Sequence, residues 1–508
     1  MFVVFFATRK LYSLHMYADL ANNVEILWRW TNGLGLTSPM FEAERMGYHY
    51  FAGHFSPIAY IAALPFSLWS KPETLIVTLV VALFSGSIPI VLYAKERISP
   101  TTGYFWGVIY LLYPTIQFTG LYDSGYLQFC IPAIAWAFYC LYKRHLAGYW
   151  AFIIVALICR EEVGLTIGLF GLYIALAKKD WRTGFGTAIC GWLYFFIVLA
   201  YIIPSFKTKT DGVMLQVRNF QQFGATPKDV ITFLILHPLT ILRYLVAPVR
   251  LGNFVLFVLP LLGLSLGSPL ILVCAFNILT SFLANSISIY SYMLYYLSPS
   301  IPFLFFAAIE TARKLEGTGQ IAGISETVCV GALACSIMFG PSPISCSFWM
   351  KEYKLGVFHS TNFHRSHYSI TQHAIEGRRV AAMVPKDAVV SAEQPYLPFL
   401  YDRKKAYIFP FLPPEVDYVL IDRRHPLKSG YLDTYLDFRQ RPEHYYQMLE
   451  AHPGRWRLIF EVDGIRLFHK IPGSTARVPR QTQPSPSSKF IQFIMPSDFS
   501  QSRVILQI

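Results

Sequence analysis

The sequence predicts a multi-pass helical membrane domain, mainly α, followed by a small α/β domain outside the lipid. Three observations carry that reading. Hydrophobic residues make up 54% of the 508 positions and charged residues only 14%, against about 25% charged in a soluble domain. Uncharged stretches recur up to Met350, several of them near the roughly 20 residues that a spanning helix needs. Beyond Met350 the charges return, and short β-like runs alternate with helical patterns.

The chain opens on an apolar run at residues 1–7 that is too short to span, with Arg9 and Lys10 directly after it. Charge follows the apolar run instead of preceding it, so this is not a signal peptide. The expectation is that most of a first transmembrane helix lies missing before the start given. Residues 11–56 set Asp19, Glu25, Trp28 and Trp30 among apolar residues, with breaks at Asn32-Gly33 and Gly35. That pattern predicts one or two interfacial helices with Trp at headgroup depth. The apolar stretch 58–69 falls well short of a span and is expected to lie in the interface. Spans are expected over 74–94, 101–122, 126–142 and 183–206. Two short or tilted helices, 146–159 and 163–177, flank a turn holding Arg160, Glu161 and Glu162. Residues 251–309 carry no charge at all, which fits three helices broken near Gly267-Ser268-Pro269 and near 288–292. A last span covers 327–350.

The basic residues set the expected topology. Lys95/Arg97, Lys143/Arg144, Lys178/Lys179/Arg182 and Arg313/Lys314 all fall on one side of these spans, which the positive-inside rule makes cytoplasmic. The outer side then holds the loops 11–73 and 207–250, the Asp123 turn, the Arg160 turn and everything after residue 350. The formal net charge of +13 is read in the same way, and no basic run accompanies a nucleic-acid motif. None of the eight cysteines forms a CxxC pair, so neither a zinc site nor a disulfide framework is indicated. The domains read as a membrane part over 1–350, a soluble α/β part over 351–471 and a disordered, Pro/Ser/Gln-rich tail over 472–508. Strands are expected at 388–392, 406–409, 418–421, 458–462 and 465–469, with a helix at 443–451 and a hairpin turn at Asp463-Gly464.

Few residues carry candidate chemistry, and each has a plain structural alternative. Asp19 reads as a general base for an acceptor hydroxyl, or as a helix N-cap. His54, in Gly53-His54-Phe55-Ser56-Pro57, reads as a phosphate or hydroxyl ligand or a proton shuttle, or as an interfacial His bonded to backbone. Arg160-Glu161-Glu162, flanked by apolar helices, is a functional hypothesis by default, or a solvated hairpin turn. Arg160 suits a phosphate, and Glu161 or Glu162 suits an acceptor, a base role or a metal, although no metal spacing is evident. His359, His364, His367 and His373 match no zinc pattern and read as a surface cluster beside the last span. No Gly-rich phosphate loop, GxSxG or HExxH occurs.

These motifs, in this order, resemble a family of predicted bacterial and archaeal multi-pass membrane proteins classed as a domain of unknown function. That family is itself similar to the GT-C superfamily, whose members use polyprenyl-phosphate-linked sugars. The family pattern in the first loop is an aromatic, Asp, Leu, then Gln shortly before Trp and Gly. Here it reads Asp19-Leu20, Glu25, Trp28 and Gly33, with Glu25 where Gln is usual. Gly53-His54-Phe55-Ser56-Pro57 is close to the family's Asp-His-Phe-Ser-Pro, and Arg160-Glu161-Glu162-Val163 stands where the family has Lys-Glu-Asp-Val. Ala392-Glu393-Gln394 through Arg403, Tyr407-Ile408-Phe409-Pro410 and Asp417-Tyr418-Val419-Leu420 also fit. The resemblance covers roughly residues 15–470.

It implies a GT-C-type glycosyltransferase of the plasma membrane, moving a hexosyl or pentosyl group from a polyprenyl-phosphate donor at the extracytoplasmic face. Asp19, Glu161 and Glu162 would then be catalytic, and Glu25, Trp28, His54 and Arg160 would bind substrate. No cofactor is implied. Two other classes stay open: a transporter or flippase of lipid-linked saccharides, and a non-catalytic membrane assembly protein. The first of these predicts mid-span charges and interrupted helices. The second predicts that Asp19, His54 and Arg160 need not meet.

Overall fold

The computed structural model describes residues 2–16, 18–41, 49–123, 125–207, 218–317, 323–360, 362–424, 446–447 and 449–473. The chain divides into two compact units, Met1–Ile370 and Thr371–Ile508. The boundary expected at residue 350 thus falls inside the first unit, whose last part includes a small hairpin. In it, strand β1 (Tyr353–Leu355) pairs antiparallel with β2 (Phe358–Ser360). The turn needs the positive φ of Gly356, and runs this short give no clear alternation to read from sequence.

The first unit is helical. Among the described residues, Pro72–Arg97, Trp181–Ser205 and Ile287–Gly317 are long and apolar enough to cross a membrane. Pro238–Leu245 and Pro248–Leu261 qualify together, bent by 59°. Shorter apolar helices include Ile58–Leu68, Leu127–Tyr142, Leu146–Leu157, Val163–Lys178, Pro269–Leu283 and Ile324–Phe339. The expected span 101–122 is broken into Pro100–Leu112 and Pro114–Leu121, because Pro114 opens a new helix. The uncharged stretch does resolve into successive segments, with Ser268 capping the one that begins at Pro269. At the start, the helix Phe2–Tyr12 runs through Arg9 and Lys10, and Lys10 is buried, its ammonium donating to the Leu121 carbonyl at 3.3 Å.

Two contacts fix the helices around the Arg160 turn. Val163–Lys178 packs backbone to backbone on Trp181–Ile197 through small residues, the mode that lipid-embedded helices favour. A Cβ added at Gly171 would lie 2.2 Å from the Ala188 nitrogen, and one at Gly164 would lie 2.5 Å from the Gly191 carbonyl oxygen. Elsewhere in the unit, Arg97 at the end of the helix Ser87–Arg97 forms a bidentate pair with Glu310 of Ile301–Gly317, at 2.7 and 2.9 Å, and the Tyr93 hydroxyl donates to the same carboxylate at 2.5 Å.

The second unit holds a five-stranded sheet in the order β4-β3-β5-β7-β6. Its strands are β3 (Val389–Ala392), β4 (Lys405–Ile408), β5 (Tyr418–Asp422), β6 (Trp456–Val462) and β7 (Ile465–Lys470). All five strands expected from sequence are present. β3 lies parallel to both β4 and β5, with Ser391 opposite Tyr407 and Val419, and its four residues are buried, as a central parallel strand requires. β7 runs antiparallel to β5 and β6. The β6–β7 turn has Asp463 at φ 51° and Gly464 at φ 84°, the hairpin geometry that Asp-Gly predicts. The expected helix 443–451 lies partly outside the described residues. The expected tail lies almost wholly outside them.

His373 corrects one expectation. It is only 8% exposed, not a surface residue, and its ring lies 2.8 Å from Asp422 and 2.9 Å from Asp463. Close by, burial pushes the Glu393 carboxyl up to about 8 from 4.5, while the Tyr446 hydroxyl donates to it.

Two predictions follow from this packing. Gly171→Val places a branched side chain against backbone that has no room to retreat, so the membrane unit should be recovered poorly and melt earlier, read by fluorescence-detected size exclusion after heating. For Glu393, the folded state holds a proton that the unfolded state has lost between about pH 4.5 and 8. The stability of the second unit should therefore fall as pH rises through that window, by on the order of a few kcal/mol. Glu393→Gln should flatten the slope, as read by amide exchange of β3 and β5 corrected for intrinsic rate.

Candidate functional site

Most of the Arg160 turn is shielded from water, with Glu162 left partly exposed. Glu161 is fully buried and Arg160 is 8% exposed. Ionised groups held out of water need partners, and the Gly53-His54-Phe55-Ser56-Pro57 segment supplies them. His54 Nδ1 lies 2.8 Å from Glu161 Oε1, and the Phe55 backbone N–H donates to Glu161 Oε2 at 3.0 Å. Arg160 Nη2 lies 3.0 Å from His54 Nε2. The Arg160 donor fixes the tautomer by the network: Nε2 accepts, and Nδ1 carries the proton towards Glu161. Arg160 Nε stands 2.9 Å from Glu162 Oε2, an ion pair whose alignment is too poor for a hydrogen bond. The guanidinium also faces the Tyr296 ring at 5.3 Å.

Local backbone geometry sets this up. Leu146–Leu157 ends just before the turn, and Glu162 stands at the start of Val163–Lys178. The Ile58 N–H donates to the Ile158 carbonyl at 3.0 Å, which joins the first turn of Ile58–Leu68 to the same corner. His54 N–H donates to the Tyr50 carbonyl at 3.3 Å and closes the loop. Burial raises the Glu162 carboxyl, against the pull of Arg160. Burial likewise raises the Tyr50 hydroxyl.

Asp19 belongs to the same neighbourhood. It lies in the first turn of Ala18–Thr31, where a carboxylate suits the helix dipole. The charges of Asp19, Arg160 and Glu161 all act on the Tyr50 hydroxyl, and those of Asp19 and Arg160 act on Tyr295. Glu25 lies further along that helix, fully buried, and accepts from the Ser38 hydroxyl at 3.2 Å. Trp28 is half-buried on the same helix. The structure thus joins His54, Arg160, Glu161 and Glu162 by direct contact, and Asp19 shares with them the neighbouring tyrosines Tyr50 and Tyr295. Glu25 and Trp28 lie on the helix of Asp19.

Sequence reasoning missed Tyr50, Tyr295 and Tyr296. A search for charges passes over tyrosine, and the only signal was the density of Tyr in Tyr290-Ser291-Tyr292-Met293-Leu294-Tyr295-Tyr296. Among the described residues, His54, Glu161 and Glu162 also form a group whose ligand atoms lie within 4.8 Å of one another, a spacing able to hold a metal ion.

A family model described as "Predicted membrane protein (DUF2079)" matches residues 10–467. No curated protein matches the chain. Among solved structures, the chain is similar to ArnT from Cupriavidus metallidurans bound to undecaprenyl phosphate, at 11% identity and a TM-score of 0.52, covering 93% of this chain and 96% of that one. It is also matched to the apo state of that protein, at 11% identity and a TM-score of 0.49, covering 92% and 96%. The first likeness shows a fold of the GT-C type.

The geometry makes one direct prediction. Glu161→Ala removes both acceptors that hold the Gly53-His54-Phe55 corner, leaving a buried N–H unpaired at a cost of about 1–3 kcal/mol. Amide exchange in nanodiscs should show Phe55 opening roughly 5- to 150-fold more readily, the equivalent of that cost.

Proposed function

The chain belongs to the DUF2079 family of predicted membrane proteins, and from that premise we propose that it is a GT-C-type glycosyltransferase using a polyprenyl-phosphate-linked sugar at the extracytoplasmic face of the plasma membrane. The observation that carries this reading is the meeting of His54, Arg160, Glu161 and Glu162 in one cluster beside Tyr50, which also feels the charge of Asp19. The fold likeness to a protein crystallised with undecaprenyl phosphate supports the lipid-phosphate class.

In this proposal the Asp19 carboxylate takes the proton of the acceptor hydroxyl as its oxygen attacks the anomeric carbon. The bond from that carbon to the lipid phosphate breaks with inversion, and the phosphate leaves with the electron pair. Arg160 and His54 stabilise the developing charge. In this reading Glu161 fixes His54, and Glu162, Glu25 and Trp28 help position substrate.

Transfer of a labelled sugar from a polyprenyl-phosphate donor, measured in proteoliposomes, tests it. Asp19→Asn should lower transfer about 10²- to 10⁴-fold, the usual worth of a general base. Arg160→Ala should lower it by about 10²-fold or more. Full transfer by both variants overturns the assignment, and movement of the donor across the bilayer without transfer would favour a flippase.

A further inference from the structure

We propose that His54, Glu161 and Glu162 bind a first-row divalent cation of the Mn²⁺ or Zn²⁺ class, and that its arrival releases Arg160 to an anion. The site stands on geometry alone; the identity of the anion as a lipid phosphate rests on the glycosyltransferase reading.

One imidazole nitrogen and two carboxylate oxygens lie within 4.8 Å of one another. Metal–ligand bonds of about 2.0–2.2 Å place neighbouring ligand atoms roughly 3–4 Å apart, so only a small closure is needed. His54 Nδ1 and Glu161 Oε1 already stand 2.8 Å apart. One imidazole with two carboxylates, leaving positions open, suits Mn²⁺ or Zn²⁺ better than the all-oxygen sites of Mg²⁺ or Ca²⁺. The charges agree with this: two carboxylates, Glu161 and Glu162, face a single guanidinium.

Arg160 supplies an independent sign of an incomplete site. It is more than nine-tenths buried, yet its Nε meets Glu162 out of line and makes no hydrogen bond. Its contact from Nη2 to His54 Nε2 uses the one lone pair that a neutral imidazole offers. That lone pair serves Arg160 or a metal ion, never both. If the ion takes Nδ1, the ring proton moves to Nε2, which then no longer accepts from Arg160. If the ion takes Nε2, it displaces Arg160 directly. In either case a Glu162 oxygen also turns to the ion, and the guanidinium is left facing Tyr296 with donors free for a phosphate.

The test uses the full-length chain in nanodiscs and follows Mn²⁺ binding by electron paramagnetic resonance. The wild type should bind one Mn²⁺ per chain at micromolar concentration, and Glu162→Gln should weaken binding by about 10-fold or more. Arg160→Met removes the competing cation and should tighten binding, a gain that misfolding cannot produce. Inorganic phosphate should bind the wild type more tightly with Mn²⁺ present than without it. No Mn²⁺ binding by the wild type, wild-type affinity in Glu162→Gln, or weaker binding in Arg160→Met overturns the site. Sugar transfer in EDTA, measured alongside, separates the two readings. Transfer without Mn²⁺ binding removes the cation site and keeps the transferase; Mn²⁺ binding without transfer does the reverse.

Discussion

The buried carboxylate of Glu161 constrains the region more than any other group. It sits between two apolar helices, fully removed from solvent, where an unpaired charge costs several kcal/mol. The fold meets that cost with two donors from one loop, the His54 ring and the Phe55 backbone N–H. The loop in turn cannot wander, because the Ile58 N–H is tied to the Ile158 carbonyl next to the same turn. From this one anchorage follow the placement of His54 against Arg160, the enclosure of Tyr50, and the position of the helix Ile58–Leu68.

The opposite ends of the same helices make an instructive contrast. Leu146–Leu157 runs from the Lys143-Arg144 turn to the Arg160 turn. At the first end, Glu310 is bidentate to Arg97, takes a Tyr93 hydroxyl and has Arg313 at 3.4 Å, so donors exceed acids and both carboxylate oxygens are met. That is a structural clamp. At the Arg160 end acids exceed cations, one ion pair is out of line, and a histidine lone pair is committed to a cation. Fixed, unevenly compensated charges in a site sheltered from water are what electrostatic catalysis requires. They are not what stability alone selects, since a buried pair is weak in stabilising terms.

Much of this was legible in the sequence. Long uncharged runs gave the helices, because lipid leaves no other way to satisfy the backbone. The sheet was legible because β-branched runs and Asp463-Gly464 carry their own local geometry. The break at Pro114 was written in the sequence but went unused, since hydropathy averages over it. The β1–β2 hairpin is too short to show alternation. For the site, Asp19, His54 and the Arg160-Glu161-Glu162 turn were each visible as misplaced polarity. Their contact was not, because His54 and Glu161 are 107 residues apart and no local rule reports such a pairing. Tyr296 left only a weak trace, the density of tyrosine around it, because its place comes from a ring face under a cation, which no local pattern records.

His373 shows how far a spacing argument reaches. Four histidines near one another in sequence suggested a shared surface, yet the chain passes from one compact unit to the next between His367 and His373. His367 lies tilted against His15 in the first unit, with ring centres 4.5 Å apart, whereas His373 is held between Asp422 at the end of β5 and Asp463 in the β6–β7 turn. Proximity along the chain therefore misassigned what burial decides. The Arg160 turn escaped that error because its charges lie between two apolar helices, so that only a partner from elsewhere in the chain could stabilise them. Charge that local structure leaves uncompensated is the stronger guide, since it demands a contact and so predicts one.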